Sequence, residues 1–250
     1  MVFESLLDPV FSPLLRLPPL AAIIIISLVI AVIIVVVYKF MTNQKEMKEM
    51  KEQIKGCQKE MKELRHDPKA MMAVQKKAMQ VNMKYMMHSF KPTIITFIPI
   101  IIIFGWLNAN LAFMPIMPDT AFTTTMFFEE NVVGEAELIV PEEIELMSDA
   151  VQEVEDGKAT WKLKGAAGEH TLEYRYDEKN YLKEVLITEQ QAYKAPLQKV
   201  KNGGDVQAIQ VNNKPLKLIN LFGLKLGWIW TYIIFSVVFS MILRKILKIY

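Results

Sequence analysis

The chain has 250 residues, 52% hydrophobic and 22% charged, with a formal net charge of only +2. A soluble domain of ordinary composition is excluded, because the apolar residues are concentrated in three runs rather than spread over a core. The single Cys57 excludes an intramolecular disulfide, and the scattered His66, His88 and His170 lack metal-ligand spacing. No phosphate loop, nucleophile elbow or zinc motif is present, so no catalytic residue, metal or cofactor is expected.

The first run, Leu20 to Val37, contains only Ser27 as a polar residue. Glu4, Asp8 and a lone Arg16 precede it, which is not the basic start of a cleavable signal, so a permanent helix is expected. Thr93 to Phe113 and Leu226 to Leu243 are the other two runs. As helices of about 27–32 Å, all three are expected to cross the hydrocarbon of a bilayer, the two eighteen-residue runs being slightly short for it. The expected fold is a membrane α-helical protein with three transmembrane helices, a cytoplasmic helical hairpin and an extracellular all-β domain. The expected boundaries are 1–38, 39–91, 92–117, 118–222 and 223–250.

Segment 39–91 carries 13 Lys+Arg against 6 Asp+Glu, whereas 118–219 carries 11 against 19. Basic loops resist translocation, so 39–91 and the C-terminus are expected in the cytoplasm, with the N-terminus and 118–225 outside the cell membrane. Met47, Met50, Ile54, Cys57, Met61 and Leu64 recur at spacings of three and four, a coiled-coil seam. Asp67 is a good N-cap and Pro68 a good first residue for a second helix, predicted to run antiparallel to the first and to end at Lys91–Pro92. Met72, Met79, Met83, Met86 and Phe90 form one stripe on it. Methionine either fills the hairpin seam or offers soft surface to apolar peptides. Met71, Met72, Met79, Met83, Met86 and Met87 are the candidates for peptide capture.

Tyr232, Ser236, Ser240 and Arg244 recur every four residues along the third run, and Thr93 and Thr96 open the second. Polar side chains in hydrocarbon usually face a protein or water-filled interior. These six are the candidate lining of a hydrophilic groove, with Pro99 expected to distort the helix beyond the threonines. The plainer alternative is that the hydroxyls bond back to the carbonyl at i−4 and that Arg244 snorkels to the headgroups. Trp106, Trp228 and Trp230 fit an aromatic belt. Between the second and third runs the pattern alternates, with strands expected at 159–164, 171–176, 181–188 and 206–211 among about seven or eight. Glu142 to Glu155 reads equally as strand or short helix.

The stretches LDPVFSPLLRLPPLAAIIIISLVIAVIIVVVYKF, ELRHDPKAMMAVQKKAMQVNMKYMMHSFKP, SFKPTIITFIPIIIIFGWL and LGWIWTYIIFSVVFSMILRKILKIY carry a family likeness. Together they resemble the archaeal YidC-like proteins of the Oxa/YidC membrane protein insertase superfamily, over about 1–118 and 220–250. The resemblance implies insertion of short membrane segments without ATP hydrolysis, through a groove open to cytoplasm and lipid. It implies nascent membrane proteins and lipids as partners, with the ribosome, signal recognition machinery and a further membrane subunit as additional candidates. Bacterial members place a basic residue inside the groove. Here no charge lies mid-membrane, and Arg244 at the mouth is the nearest counterpart. A receptor or scaffold acting through the β domain is the competing class.

Overall fold

The computed structural model describes residues 4–201 and 204–249. The chain divides into two compact units. One is helical, built from Leu20–Phe104 and the segment from Ile229 on; the other contains Ser5–Pro19 and Gly105–Trp228.

The helical unit holds most of α2 (Pro19–Met41), all of α3 (Gln44–Glu63), α4 (Pro68–Leu111) up to Phe104, and α5 (Trp228–Ile246) from Ile229. α2, α4 and α5 are each long and apolar enough to cross a membrane. α2 buries Ala22, Ile23, Ile26, Ser27, Ile30, Ala31, Val35 and Tyr38, a stripe at helical spacing. Ser27 donates to the Ile23 carbonyl at 2.7 Å, so its hydroxyl stays satisfied. Asn43 starts α3 by accepting from the amides of Lys45 and Glu46. Asp67 starts α4 by accepting from those of Lys69 and Ala70, both at 3.1 Å, with Pro68 in the first helical position.

On α3, Met47 and Cys57 are buried and Met50, Ile54, Met61 and Leu64 half-buried, the seam expected from the heptad. α4 departs from expectation in two ways. It does not end at Lys91–Pro92 but runs through Pro92 and Pro99 as one helix of 44 residues. Each proline removes one backbone donor. The hydroxyls of Ser89, Thr93 and Thr96 add bonds to the carbonyls of Tyr85, Ser89 and Pro92 around the first of them. Its protected face is also not the methionine stripe. Met71, Val74, Ala78, Val81, Tyr85 and Ser89 are half-buried, whereas Met72, Met79, Met83, Met86 and Met87 are 57–66% exposed. The covered face mixes sizes, from Ala78 and Ser89 to Met71 and Tyr85. Val35, Tyr38, Met47 and Ile249 form a small core, with Met50, Tyr85, Leu243 and Leu247 packed on it. All four helical segments thus meet there.

In the second unit, α1 (Glu4–Phe11) is tied to the last two turns of α4. Trp106 Nε1 donates to Asp8 Oδ1 at 2.8 Å, and its ring lies 5.3 Å from that of Phe11. Trp106 is 1% exposed, so it is an internal anchor and not a member of an aromatic belt; Trp228 is buried too, and only Trp230 presents its ring to the surroundings.

The remainder is a two-sheet β fold with more strands than the alternation suggested. The strands are β1 (Phe122–Phe128), β2 (Glu135–Ile139), β3 (Ile144–Leu146), β4 (Val151–Glu153), β5 (Lys158–Gly165), β6 (Gly168–Tyr176), β7 (Lys179–Ile187), β8 (Leu197–Lys199) and β9 (Val206–Val211). One sheet has the order β3-β5-β1-β9-β8 and the other β4-β2-β6-β7, and all the pairings within them are antiparallel. The ambiguous 142–155 segment is two three-residue strands, too short for alternation to declare itself. Inward residues of both sheets make one core, centred on Trp161 and Tyr174, whose rings meet edge-on at 5.5 Å. Trp161 Nε1 donates to the Ala150 carbonyl, and the Tyr174 hydroxyl bonds Thr124.

The chain enters and leaves this domain side by side. Phe113 and Pro215 form an antiparallel bridge, Met114 N–H donates to the Lys214 carbonyl at 2.8 Å, and Leu216 N–H to that of Ala112 at 2.9 Å. The C-terminal carbonyls of α4, which have no helical donors, are capped from the β7–β8 connection. Tyr193 donates to Asn108 O at 2.6 Å and accepts from Ala112 N–H, while Gln191 donates to the carbonyls of Asn110 and Phe113. A separate hairpin, β10 (Ile219–Leu221) and β11 (Leu224–Leu226), joins neither sheet.

Candidate functional site

The helical unit contains an open cavity of about 410 Å³ whose walls are mostly apolar but carry several polar side chains. α2 contributes Ile34 and Tyr38, α4 contributes Tyr85, Ser89, Pro92, Thr93, Thr96, Phe97 and Ile100, and α5 contributes Arg244. The α4 residues are there because the protected face of the hairpin continues into the apolar run. Val81, Tyr85, Ser89, Pro92, Thr96 and Pro99 follow one another at spacings of three and four.

The polar groups form a connected set. Tyr38 Oη lies 3.0 Å from Ser89 Oγ, and Ser89 donates to the Tyr85 carbonyl at 3.1 Å. Thr93 donates to Ser89 O at 2.8 Å, and Thr96 to the carbonyls of Pro92 and Thr93, each at 3.0 Å. The Arg244 guanidinium sits over the Tyr38 ring, 4.8 Å from its centroid, a cation–π contact that fixes the charge at the cavity wall.

The threonines therefore do both things the sequence allowed. Their hydroxyl hydrogens go back to the helix, while their oxygen lone pairs remain as acceptors toward the cavity. Pro92 and Pro99 deprive the carbonyls of His88 and Ile95 of their helical donors, adding acceptor capacity to the same helix.

Of the six groove candidates, Thr93, Thr96 and Arg244 line the cavity. Tyr232, Ser236 and Ser240 do not. Tyr232 is buried edge-on against Phe104 at 4.7 Å, and Ser236 donates to the Ile233 carbonyl at 3.1 Å. Their stripe nevertheless lies on the more covered side of α5, opposite Ile233, Val237, Val238, Met241 and Ile242. The sequence reading missed Tyr38, Tyr85 and Ser89, and the signal that would have found them is the α4 spacing just described. The capture candidates Met72, Met79, Met83, Met86 and Met87 stand exposed on α4, and Met71 is half-buried at the seam. Met83 and Met87 also border an open groove of about 610 Å³ with Gln80, Val81, Lys84 and His88. Among the described residues, no group of three or more His, Cys, Asp or Glu is placed to hold a metal ion.

Most of the helical region is matched in a comparison against protein families. The family model described as integral membrane protein EMC3/TMCO1-like matches residues 4–136. The chain belongs to the EMC3/TMCO1-like family. That family lies in the Oxa1/YidC/Alb3/EMC3 insertase superfamily, consistent with membrane protein insertion. Comparison with characterised proteins and with solved structures gave no match. In this EMC3/TMCO1-like protein the matched region includes the α2 and α4 walls of the cavity, whereas Arg244 lies beyond it.

Proposed function

We propose that this chain is a membrane protein insertase whose working parts are the cavity and the exposed methionines of α4. The observation that carries the reading is a cavity bearing Tyr38, Ser89, Thr93, Thr96 and Arg244, formed by helices that each contain an apolar stretch long enough to cross a membrane. Such groups are costly in hydrocarbon and are retained where they face water or a substrate. Membership of the insertase superfamily supports it independently.

In this mechanism a client's apolar segment docks on Met72, Met79, Met83 and Met86, whose flexible thioethers adapt to varied side chains. Its polar flank then enters the cavity. The barrier to insertion is carrying that flank across about 30 Å of hydrocarbon. Water held by threonine and backbone acceptors shortens the dry path, and Arg244 offers a donor to acidic groups. Burial of the apolar segment in lipid supplies the driving force. Neither ATP nor a cofactor is required.

The charge distribution favours a multi-pass protein of the cell membrane with the hairpin and C-terminus cytoplasmic and the β domain outside. The motifs around Asp67–Pro68 and Phe239–Lys245 favour the archaeal YidC-like branch. Nascent membrane proteins are the proposed partners, delivered by the ribosome or signal recognition machinery.

Photo-crosslinking probes at Met79, Met86 and Thr96 test the reading, using stalled ribosome–nascent chains that carry one membrane segment. Crosslinks that pass from the methionines to Thr96 as the chain lengthens are expected. Contacts made solely through the β domain would instead identify a receptor or scaffold.

A further inference from the structure

The β10–β11 hairpin belongs to neither sheet of the β domain. Its register pairs Ile219 with Leu226, Asn220 with Lys225 and Leu221 with Leu224. Directly opposed residues share a face, and successive residues alternate. One face is therefore wholly aliphatic, with Ile219, Leu221, Leu224 and Leu226, and the other carries Asn220 and Lys225.

The aliphatic face is not packed away. Leu221 is 43% exposed, Leu224 68% and Phe222, at the tip, 98%. The turn is also unusual. Phe222 and Gly223 have φ of 50° and 89°, the signs of a two-residue turn in which both central residues are left-handed. Glycine suits the second position, but a bulky aromatic at positive φ is strained. Asn or Asp would be expected there in a hairpin facing water. Strained residues persist where their side chain has a use. A lone two-stranded hairpin is marginal in water at best, so one with an open apolar face calls for another medium.

Chain connectivity says which medium. Gly227 alone separates Leu226 from Trp228, the first residue of α5, one of the three helices apolar enough to cross a membrane. The Phe222 tip is six residues from Trp228, so it lies within about 20 Å of that helix start however the chain runs. Trp230, 61% exposed in the first turn of α5, marks this level as the headgroup region, where tryptophan concentrates. Lys217 precedes the hairpin and Lys225 lies on its polar face, charges that lipid phosphates would favour.

We propose that the β10–β11 hairpin is a lipid-inserting wedge, with Phe222, Leu221 and Leu224 dipped into the acyl-headgroup boundary a few residues ahead of α5 in the chain. It perturbs the leaflet that the β domain faces and holds the start of α5 at a fixed depth. This reading needs the chain to be a membrane protein but does not depend on the insertase mechanism.

The test uses the full-length protein in vesicles of phosphatidylcholine and phosphatidylglycerol. Cys57→Ala removes the native thiol, and Phe222→Cys, Leu224→Cys or Asn220→Cys carries an environment-sensitive fluorophore. Labels at 222 and 224 should shift to the blue, resist aqueous iodide and lose most of their emission to lipids bearing a nitroxide near the glycerol. The label at 220, on the polar face, should remain open to iodide. Iodide access at both 222 and 224 would overturn the wedge. Shielding from iodide without nitroxide quenching would also overturn it, by showing protein on that face instead.

Discussion

Replacing Thr93 and Thr96 together by valine separates a wetted cavity from a merely structural one. Valine keeps the volume and the β-branch, so α4 retains its shape. The carbonyls of Ser89, Pro92 and Thr93 that take the threonine hydroxyls lose only those side-chain donors. What disappears is two oxygens that face the cavity, each able to hold water. At about 1 kcal/mol per lost hydrogen bond, a flank that relies on that water meets a barrier about 2 kcal/mol higher. That is about 30-fold in rate. The assay is protease protection of a single-span client in proteoliposomes, run with two clients that differ only in a charged or an alanine-rich translocated flank. The charged client should slow by an order of magnitude or more while the alanine-rich client changes less than twofold. Equal slowing of both, or of neither, would refute the idea that the hydroxyls carry water for the flank.

Arg244→Lys keeps the charge but loses the planar stacking on Tyr38, and should reduce insertion of acidic-flank clients less than Arg244→Leu does; identical rates for the two variants would show that charge at this wall is irrelevant. Met79→Gln, Met83→Gln and Met86→Gln together should leave thermal stability within about 0.5 kcal/mol, because these side chains are exposed, yet lower client crosslinking. Val74→Ser with Val81→Ser, on the covered face, should lower the melting temperature instead. Tyr193→Phe leaves the Ala112 amide without its acceptor and should cost about 2 kcal/mol, read as about 30-fold faster hydrogen exchange at residues 110–116. The Tyr193 phenol is pushed up to about 12, chiefly by burial. The folded state thus favours the protonated phenol, so this stabilisation is complete below pH 10 and is lost as pH rises from 10 to 12. Alkaline titration of near-ultraviolet dichroism should show a transition in that window that Tyr193→Phe lacks.

The long apolar runs and the α3 heptad were legible because each is a repeated pattern that a single substitution does not blur. Asp67 and Pro68 were legible because capping chemistry is local. The seam of α4 was not, since hydrophobicity alone ranks Met72, Met79 and Met83 above Ala78 and Ser89, although it is the latter two that lie on the covered face. The same bias hid half of the cavity. Tyr38 sits at the end of an apolar run, where aromatic residues suggest headgroup anchoring, and Tyr85 lies among the lysines before the next run; only the continued spacing through Ser89, Pro92 and Thr96 assigns Tyr85 to an interior. Trp106 misled in the opposite sense, because its partner Asp8 is 98 positions away. Strands β3 and β4 span three residues each, fewer than alternation needs.

The bridge between Phe113 and Pro215 has a corollary. A domain whose incoming and outgoing strands already hydrogen-bond to one another is held by the chain as if on a stem. Excising residues 115–213 and closing the gap with a short turn would leave the two stem strands no farther apart than they are now. Such an excision also removes Gln191 and Tyr193, so a replacement module must resupply the cap on the C-terminal carbonyls of α4.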